Sequence, residues 1–133
     1  MPQKKCIDVT CAIVYFKDKI LVTQRSETMK LPLKWEFPGG KLEINESEID
    51  CIKREILEEI NIEIEIVKKL SDSIFDYGTF QIKLIPFVAS FISGNIKLAE
   101  HKEYRLLNLS ELSNLDWAEA DKPIVEELLK LAL

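Results

Sequence analysis

Isoleucine recurs at three- and four-residue intervals through Ile49, Ile52, Ile56 and Ile60, and no other pattern in the chain restricts its folding more. At 100° per residue these side chains fall on one apolar stripe, which must face a core. Ser47 supplies an N-cap, with Asp50 three residues on as an approximate capping box, so the spacing predicts a helix over 48–60. The same wheel puts Glu59 about 20° from Ile52 and Glu55 about 60° from it. Two carboxylates one turn apart at the rim of a buried face repel each other and lose hydration unless a cation compensates them. Ligands that are all oxygen favour Mg²⁺ or Mn²⁺ over zinc.

Around this helix the chain reads mainly as strands. Ile7 to Phe16 and Ile20 to Arg25 are rich in β-branched residues, and Lys17-Asp18-Lys19 between them suggests a hairpin with a short polar turn. A loop to about Lys34 precedes Trp35. Ile62, Ile64 and Ile66 alternate with Glu63 and Glu65, the pattern of a strand with one wet face. Ile82 to Ile92 is apolar on both faces and reads as a central strand covered on both sides. Pro86 within it marks a bulge or a partly unpaired position. Tyr104 to Leu109 adds a further strand, and Ile124 to Leu131 a terminal amphipathic helix. Two helices with some six strands place the chain in the α/β class, as an α/β/α sandwich around a mixed β-sheet. At 133 residues and 47% hydrophobic content, residues 1–133 are expected to form a single domain.

A net charge of −5 argues against a standing role on nucleic acid or on an anionic membrane, both of which call for a basic face. A polyphosphate substrate would also be repelled, which makes a metal and local cations more necessary. Arg25 and Lys41 are the candidate phosphate contacts, with solvated strand ends as the alternative reading. Cys6, Cys11 and Cys51 are odd in number, and the first two point to opposite faces of a strand. They read as reduced thiols of a cytoplasmic protein, with no secretory signal or membrane span evident.

Gly40 is followed after five residues by Glu46, and after seven more by Arg54-Glu55-Ile56-Leu57-Glu58-Glu59-Ile60-Asn61-Ile62. This spacing resembles the signature of the Nudix hydrolases, matched from Gly40 to Ile62 with one departure. Asn61 stands where the family has Gly, at a helix end that a left-handed residue usually closes, and Asn is the next best residue there. The preceding Trp35-Glu36-Phe37-Pro38-Gly39-Gly40-Lys41 resembles the MutT-type branch, which cleaves nucleoside triphosphates. Gly39 and Gly40 are expected to take positive φ and bring backbone close to a ligand, with a plain tight turn after Pro38 as the alternative.

The resemblance implies the Nudix fold and a set of roles. Glu55, Glu58 and Glu59, with the Gly40 carbonyl, would hold one or more Mg²⁺ ions that neutralise pyrophosphate oxygens and activate water. Arg54 would orient the glutamates, or simply pair with Glu58 on the surface. Glu100 matches a position that supplies another ligand or the general base. Phe37 and Tyr77 resemble residues lining the base pocket, a core role being at least as fitting for Phe37. Asp121 matches a base-reading Asn, with an N-cap role as the alternative. His101, the only histidine, is assigned no role. The implied activity is Mg²⁺-dependent hydrolysis of nucleoside triphosphates, with cytosine or oxidised nucleotides as candidates, by a monomer or, as the alternative, a dimer. A nucleoside diphosphate sugar or ADP-ribose pyrophosphatase is a second reading, for which the chain is short. A binding module of the same fold is a third, and the intact glutamates count against it.

Overall fold

A computed structural model describes residues 4–131. Strands β1 (Lys5–Phe16) and β2 (Lys19–Gln24) form the hairpin read from the sequence, with Tyr15 opposite Ile20 and Lys17 at φ 59° in the turn. Two short strands, β3 (Trp35–Glu36) and β4 (Gly39–Lys41), precede helix α1 (Glu48–Ile60). Then follow β5 (Ile62–Lys69), β6 (Ser73–Asp76), β7 (Phe80–Gly94), β8 (Glu103–Leu107) and helix α2 (Lys122–Leu131). Strands β3, β4 and β6, of two to four residues, lie outside the six-strand expectation.

The sheet is mixed. Its main path runs β3-β2-β1-β7-β5, with β4 on β1, β6 on β7 and β8 on β2. The long central pair, β1 with β7, is parallel, and the other pairings are antiparallel. Alternation along β1 divides the core between the two faces. Ala12 and Val14 join Ile52, Ile56 and Ile60 of α1, whereas Cys11 and Ile13 join Ile124, Val125 and Leu128 of α2. The expected sandwich is therefore present, with one helix on each side of the sheet.

Helix α1 begins and ends as its sequence implies. Ser47 accepts a hydrogen bond from the Asp50 N–H at 3.1 Å, and Asn61 closes the last turn at φ 67°, ψ 32°. The Asn61 side chain also donates to the Asn95 carbonyl at 3.0 Å. Ile49 departs from the predicted stripe: it is 43% exposed, and Cys51 is buried alongside Ile52, Ile56 and Ile60 instead. Ile49 lies in the first turn and lines a surface groove with Ile66 and Phe87.

Pro86 occupies a seam. Strand β5 pairs with residues 87–94 of β7 and β6 with residues 81–84, so neither reaches Pro86. Its carbonyl accepts from Leu70 N at 3.0 Å, and the missing N–H on that same side leaves no gap in a ladder. The irregular registers lie instead on β5, between Glu63 and Ile64 and between Ile66 and Lys68. Among the described residues no helix is long and apolar enough to cross a membrane.

Candidate active site

The site is built where β1 carries β4 across from α1. Gly39 pairs with Cys11 and Gly40 with Thr10, which lays the glycines flat on the central strand. Neither takes a positive φ, contrary to the sequence expectation; among the described glycines only Gly78 and Gly94 do. What demands glycine here is close approach. A Cβ on Gly39 would sit 1.9 Å from the Thr10 carbonyl oxygen, and one on Gly40 would sit 2.1 Å from Glu55 Oε2. The Gly40 carbonyl accepts from the Thr10 hydroxyl at 3.2 Å, and the Cys51 thiol contacts the Lys41 carbonyl at 3.4 Å beside it.

Arg54 organises the carboxylates. Its Nε and Nη2 meet both oxygens of Glu46 at 2.7 and 2.9 Å, while Nη1 reaches Glu55 at 2.7 Å and Glu58 at 3.2 Å. This fork holds the Glu46 carboxyl down at about 2 and raises the guanidinium above its ordinary range. Arg54 thus does more than make a surface pair with Glu58. Glu58 itself is 59% exposed on the solvent side of the helix.

Glu59 faces the other way. It is 25% exposed, and burial pushes its carboxyl up to about 7, opposed by His101 and reinforced by Glu55, Glu36 and Glu100. It lines a cavity of about 440 Å³ together with Gly39, Gly40 and Lys41 at one end and Tyr77, Ala120 and Asp121 at the other.

At that far end Asp121 is buried and accepts the Phe37 N–H at 2.9 Å. Burial raises its carboxyl well above the ordinary value, the Glu36 charge adds to this, and the Phe37 bond opposes it. Asp121 ends a short 3-10 turn (Glu119–Asp121) immediately before α2. The Phe37 ring is buried against Trp117, with 4.8 Å between ring centroids, so this residue serves the core as well as the cavity wall. Tyr77 is half-buried; its hydroxyl accepts the Ala120 N–H at 3.1 Å and its ring stacks on Phe80.

Of the two candidate phosphate cations, Lys41 is exposed at the cavity edge. Arg25 is no solvated strand end: its Nη1 pairs with Glu36 Oε1 at 2.8 Å and its Nε bonds the Lys30 carbonyl. Glu100 is exposed in the segment after β7, close enough for its charge to act on Glu59. The residues that the sequence reading passed over are Glu36 and His101. Glu36 sits in a two-residue strand with no period to read, and His101 is buried by a segment without regular structure.

The NUDIX domain profile matches residues 4–128. This chain belongs to the NUDIX domain family. Among relatives, the CTP pyrophosphohydrolase of Escherichia coli (strain K12) is 29% identical over 127 residues, covering 96% of this chain and 94% of that protein. The 8-oxo-dGTP diphosphatase of Buchnera aphidicola subsp. Schizaphis graminum is 28% identical over 96% of both chains. Among solved structures, the MutT protein of methicillin-resistant Staphylococcus aureus 252, of the Nudix hydrolase family, is 40% identical with a TM-score of 0.78, covering 96% of this chain and 98% of that one.

Nudix hydrolases generally use a divalent metal, and the donor set here fits one. Glu59 is an under-compensated carboxylate at a cavity wall, the space a Gly40 Cβ would fill holds the Glu55 carboxylate, and all the donors are oxygen. Among the described residues no three His, Cys, Asp or Glu side chains already converge on one point, because Arg54 draws Glu55 and Glu58 to itself.

Proposed function

We propose that this NUDIX chain is a Mg²⁺-dependent nucleoside triphosphate pyrophosphohydrolase that releases nucleoside monophosphate and pyrophosphate, with Mn²⁺ as a substitute ion. The observation that carries this reading is the single cavity joining Glu59 and the Gly40 backbone to Asp121 and Tyr77. Its two ends differ in chemistry as the two ends of a nucleotide do. Glu55, Glu58 and Glu59, with the Gly40 carbonyl and Glu100, would hold the ion. When bound, the ion supplies charge neutralisation of phosphate oxygens and a more acidic water.

The remaining work falls to the protein. Arg54 keeps Glu55 and Glu58 from scattering into solvent, while Glu46 anchors Arg54. Lys41, at the cavity edge, meets phosphate charge, whereas Arg25 acts through Glu36, which it fixes in place. Tyr77 and Phe80 offer an aromatic wall to the base. Asp121, whose carboxyl burial raises well above its ordinary value, spends one oxygen on the Phe37 N–H, and its acid form offers an O–H donor to a base acceptor. Both cytosine and guanine-type edges present an acceptor beside a donor, which supports breadth across cytosine and 8-oxoguanine nucleotides, the substrates in the relatives' names.

The test is to incubate the protein with Mg²⁺ and a panel of CTP, dCTP, dGTP and 8-oxo-dGTP and to assay pyrophosphate. Release from at least one of them, abolished by chelation, is the expected result. Binding without turnover would replace the hydrolase with a nucleotide-binding module.

A further inference from the structure

The segment leaving β7 is stitched to the end of α1. Lys97 N donates to the Ile60 carbonyl at 2.9 Å and Ala99 N to the Glu59 carbonyl at 3.0 Å, while Lys102 N donates to Gln24 of β2 at 2.9 Å. These bonds take up carbonyls that a helix end leaves free, and they fix what lies between them. What lies between is His101, with a side chain only 1% exposed.

Its two nitrogens have different surroundings. Nε2 is 2.8 Å from Glu36 Oε2, and the other oxygen of Glu36 takes Arg25 at 2.8 Å. The ring is therefore clamped by a carboxylate that is itself clamped. Nδ1 is buried without a hydrogen-bond partner and lies 3.9 Å from Glu59 Oε2. Buried nitrogens without partners are rare. The gap exceeds hydrogen-bond length but is closed by a small turn of the Glu59 carboxyl. Because Nε2 donates to Glu36, Nδ1 carries either a lone pair or a second N–H. Glu59 answers both: its protonated form donates to the lone pair, and its ionised form accepts from the N–H.

We infer that His101 is a positioning residue for the hydrolytic reaction, holding the Glu59 carboxylate through Nδ1 while Glu36 and Arg25 hold the imidazole through Nε2. The inference rests on the pyrophosphohydrolase reading and extends it to a residue that touches neither nucleotide nor phosphate. A histidine serving only as core would need the Glu36 bond alone; the orphaned nitrogen facing a cavity carboxylate is what sets this one apart.

Two substitutions separate its nitrogens. His101→Gln places an amide near the Nε2 position and keeps the contact to Glu36; His101→Asn places one near Nδ1 and keeps the contact to Glu59. The expected result is that His101→Gln lowers kcat about 10- to 100-fold with KM little changed, and weakens Mn²⁺ binding, followed by electron paramagnetic resonance, by a similar factor. His101→Asn should recover most of both losses. Values for His101→Gln within about twofold of wild type, a change too small for a residue that orients a ligand, would overturn the inference. So would equal losses in the two variants, whatever their melting temperatures. Should wild type hydrolyse no nucleoside triphosphate, the functional reading falls, and the Mn²⁺ affinities alone decide the role of His101.

Discussion

The Phe37 backbone N–H donates to Asp121 Oδ2 at 2.9 Å, joining the turn before α2 to the link between β3 and β4 that leads into the two glycines. One carboxyl thus ties the Tyr77 end of the cavity to the Gly39-Gly40 end, and its protonation matters to both. Between the ordinary Asp value and the raised one, the folded chain binds a proton that the unfolded chain does not. Its contribution to stability is present at low pH and is lost as pH climbs through the raised value. The O–H donor disappears over the same window. We expect kcat/KM of wild type to fall on the alkaline side, and Asp121→Asn, which keeps a donor at every pH, to flatten that limb. Identical pH profiles for the two proteins would show that the acid form of Asp121 does not read the base.

Glu59 obeys the same sign. Its carboxyl is raised to about 7, so without metal the folded state is favoured below the ordinary Glu value and penalised as pH rises through 7, by about 3 kcal/mol at most. The melting temperature of metal-free wild type should decline over that window more steeply than that of Glu59→Gln. Mg²⁺ binding to the ionised form should reverse the decline in wild type and raise its melting temperature more than that of the variant. Activity of Glu59→Gln should drop by orders of magnitude with the fold retained. Equal Mg²⁺ shifts in the two proteins would remove Glu59 from the ligand set.

The neighbouring glycines should fail differently. A Cβ on Gly39 meets the backbone of Thr10 and Cys11 in the central strand, which cannot give way without breaking the pairing. Gly39→Ala should therefore cost about 3 kcal/mol in chemical denaturation. On Gly40 the obstacle is the Glu55 side chain, which can rotate aside but then leaves Arg54. Gly40→Ala should cost about 1 kcal/mol yet lose most activity. Comparing denaturation midpoints with kcat for the pair checks this, and equal stabilities would refute it.

Asn61 carries two opposed effects. Glycine relieves the left-handed backbone by about 1 kcal/mol, but Asn61→Gly forfeits the bond to Asn95, worth about 1 kcal/mol. The sequence alone implies that Gly is neutral or better; with the bond included, the net change should lie within about 0.5 kcal/mol of zero. Asn61→Ala loses the bond and keeps the strain, so it should be the less stable of the two by equilibrium unfolding.

What was legible in the sequence was whatever local chemistry repeats. Helix α1 came through because a cap, a stripe and a left-handed terminus all lie between Ser47 and Asn61, and β5 because Ile62, Ile64 and Ile66 alternate with glutamates. Strands β3, β4 and β6 are too short to show a period, and they are held by β1, β2 and β7. The misread φ of Gly39 and Gly40 has the same origin: glycine signals either an unusual dihedral or a close neighbour, and only the neighbour, Thr10 or Glu55, tells which. His101 was opaque because its burial depends on Lys97 and Ala99 finding the end of α1, a contact that no spacing announces. The raised carboxyl of Asp121 depends likewise on elements far apart in the chain, since it is buried between the Phe37 and α2 segments.

The seam at Pro86 has a mechanical consequence. Since β5 and β6 grip β7 on opposite sides of that residue, the outer border of the sheet is jointed. The β5 piece backs the α1 isoleucines through Ile62 and Ile64, while the β6 piece leads into Tyr77 and bonds Ala120 through Ser73. The carboxylate helix and the wall at Tyr77 and Ala120 are therefore backed by separate border strands, and no single strand on that border couples the alignment of one end of the cavity to the other.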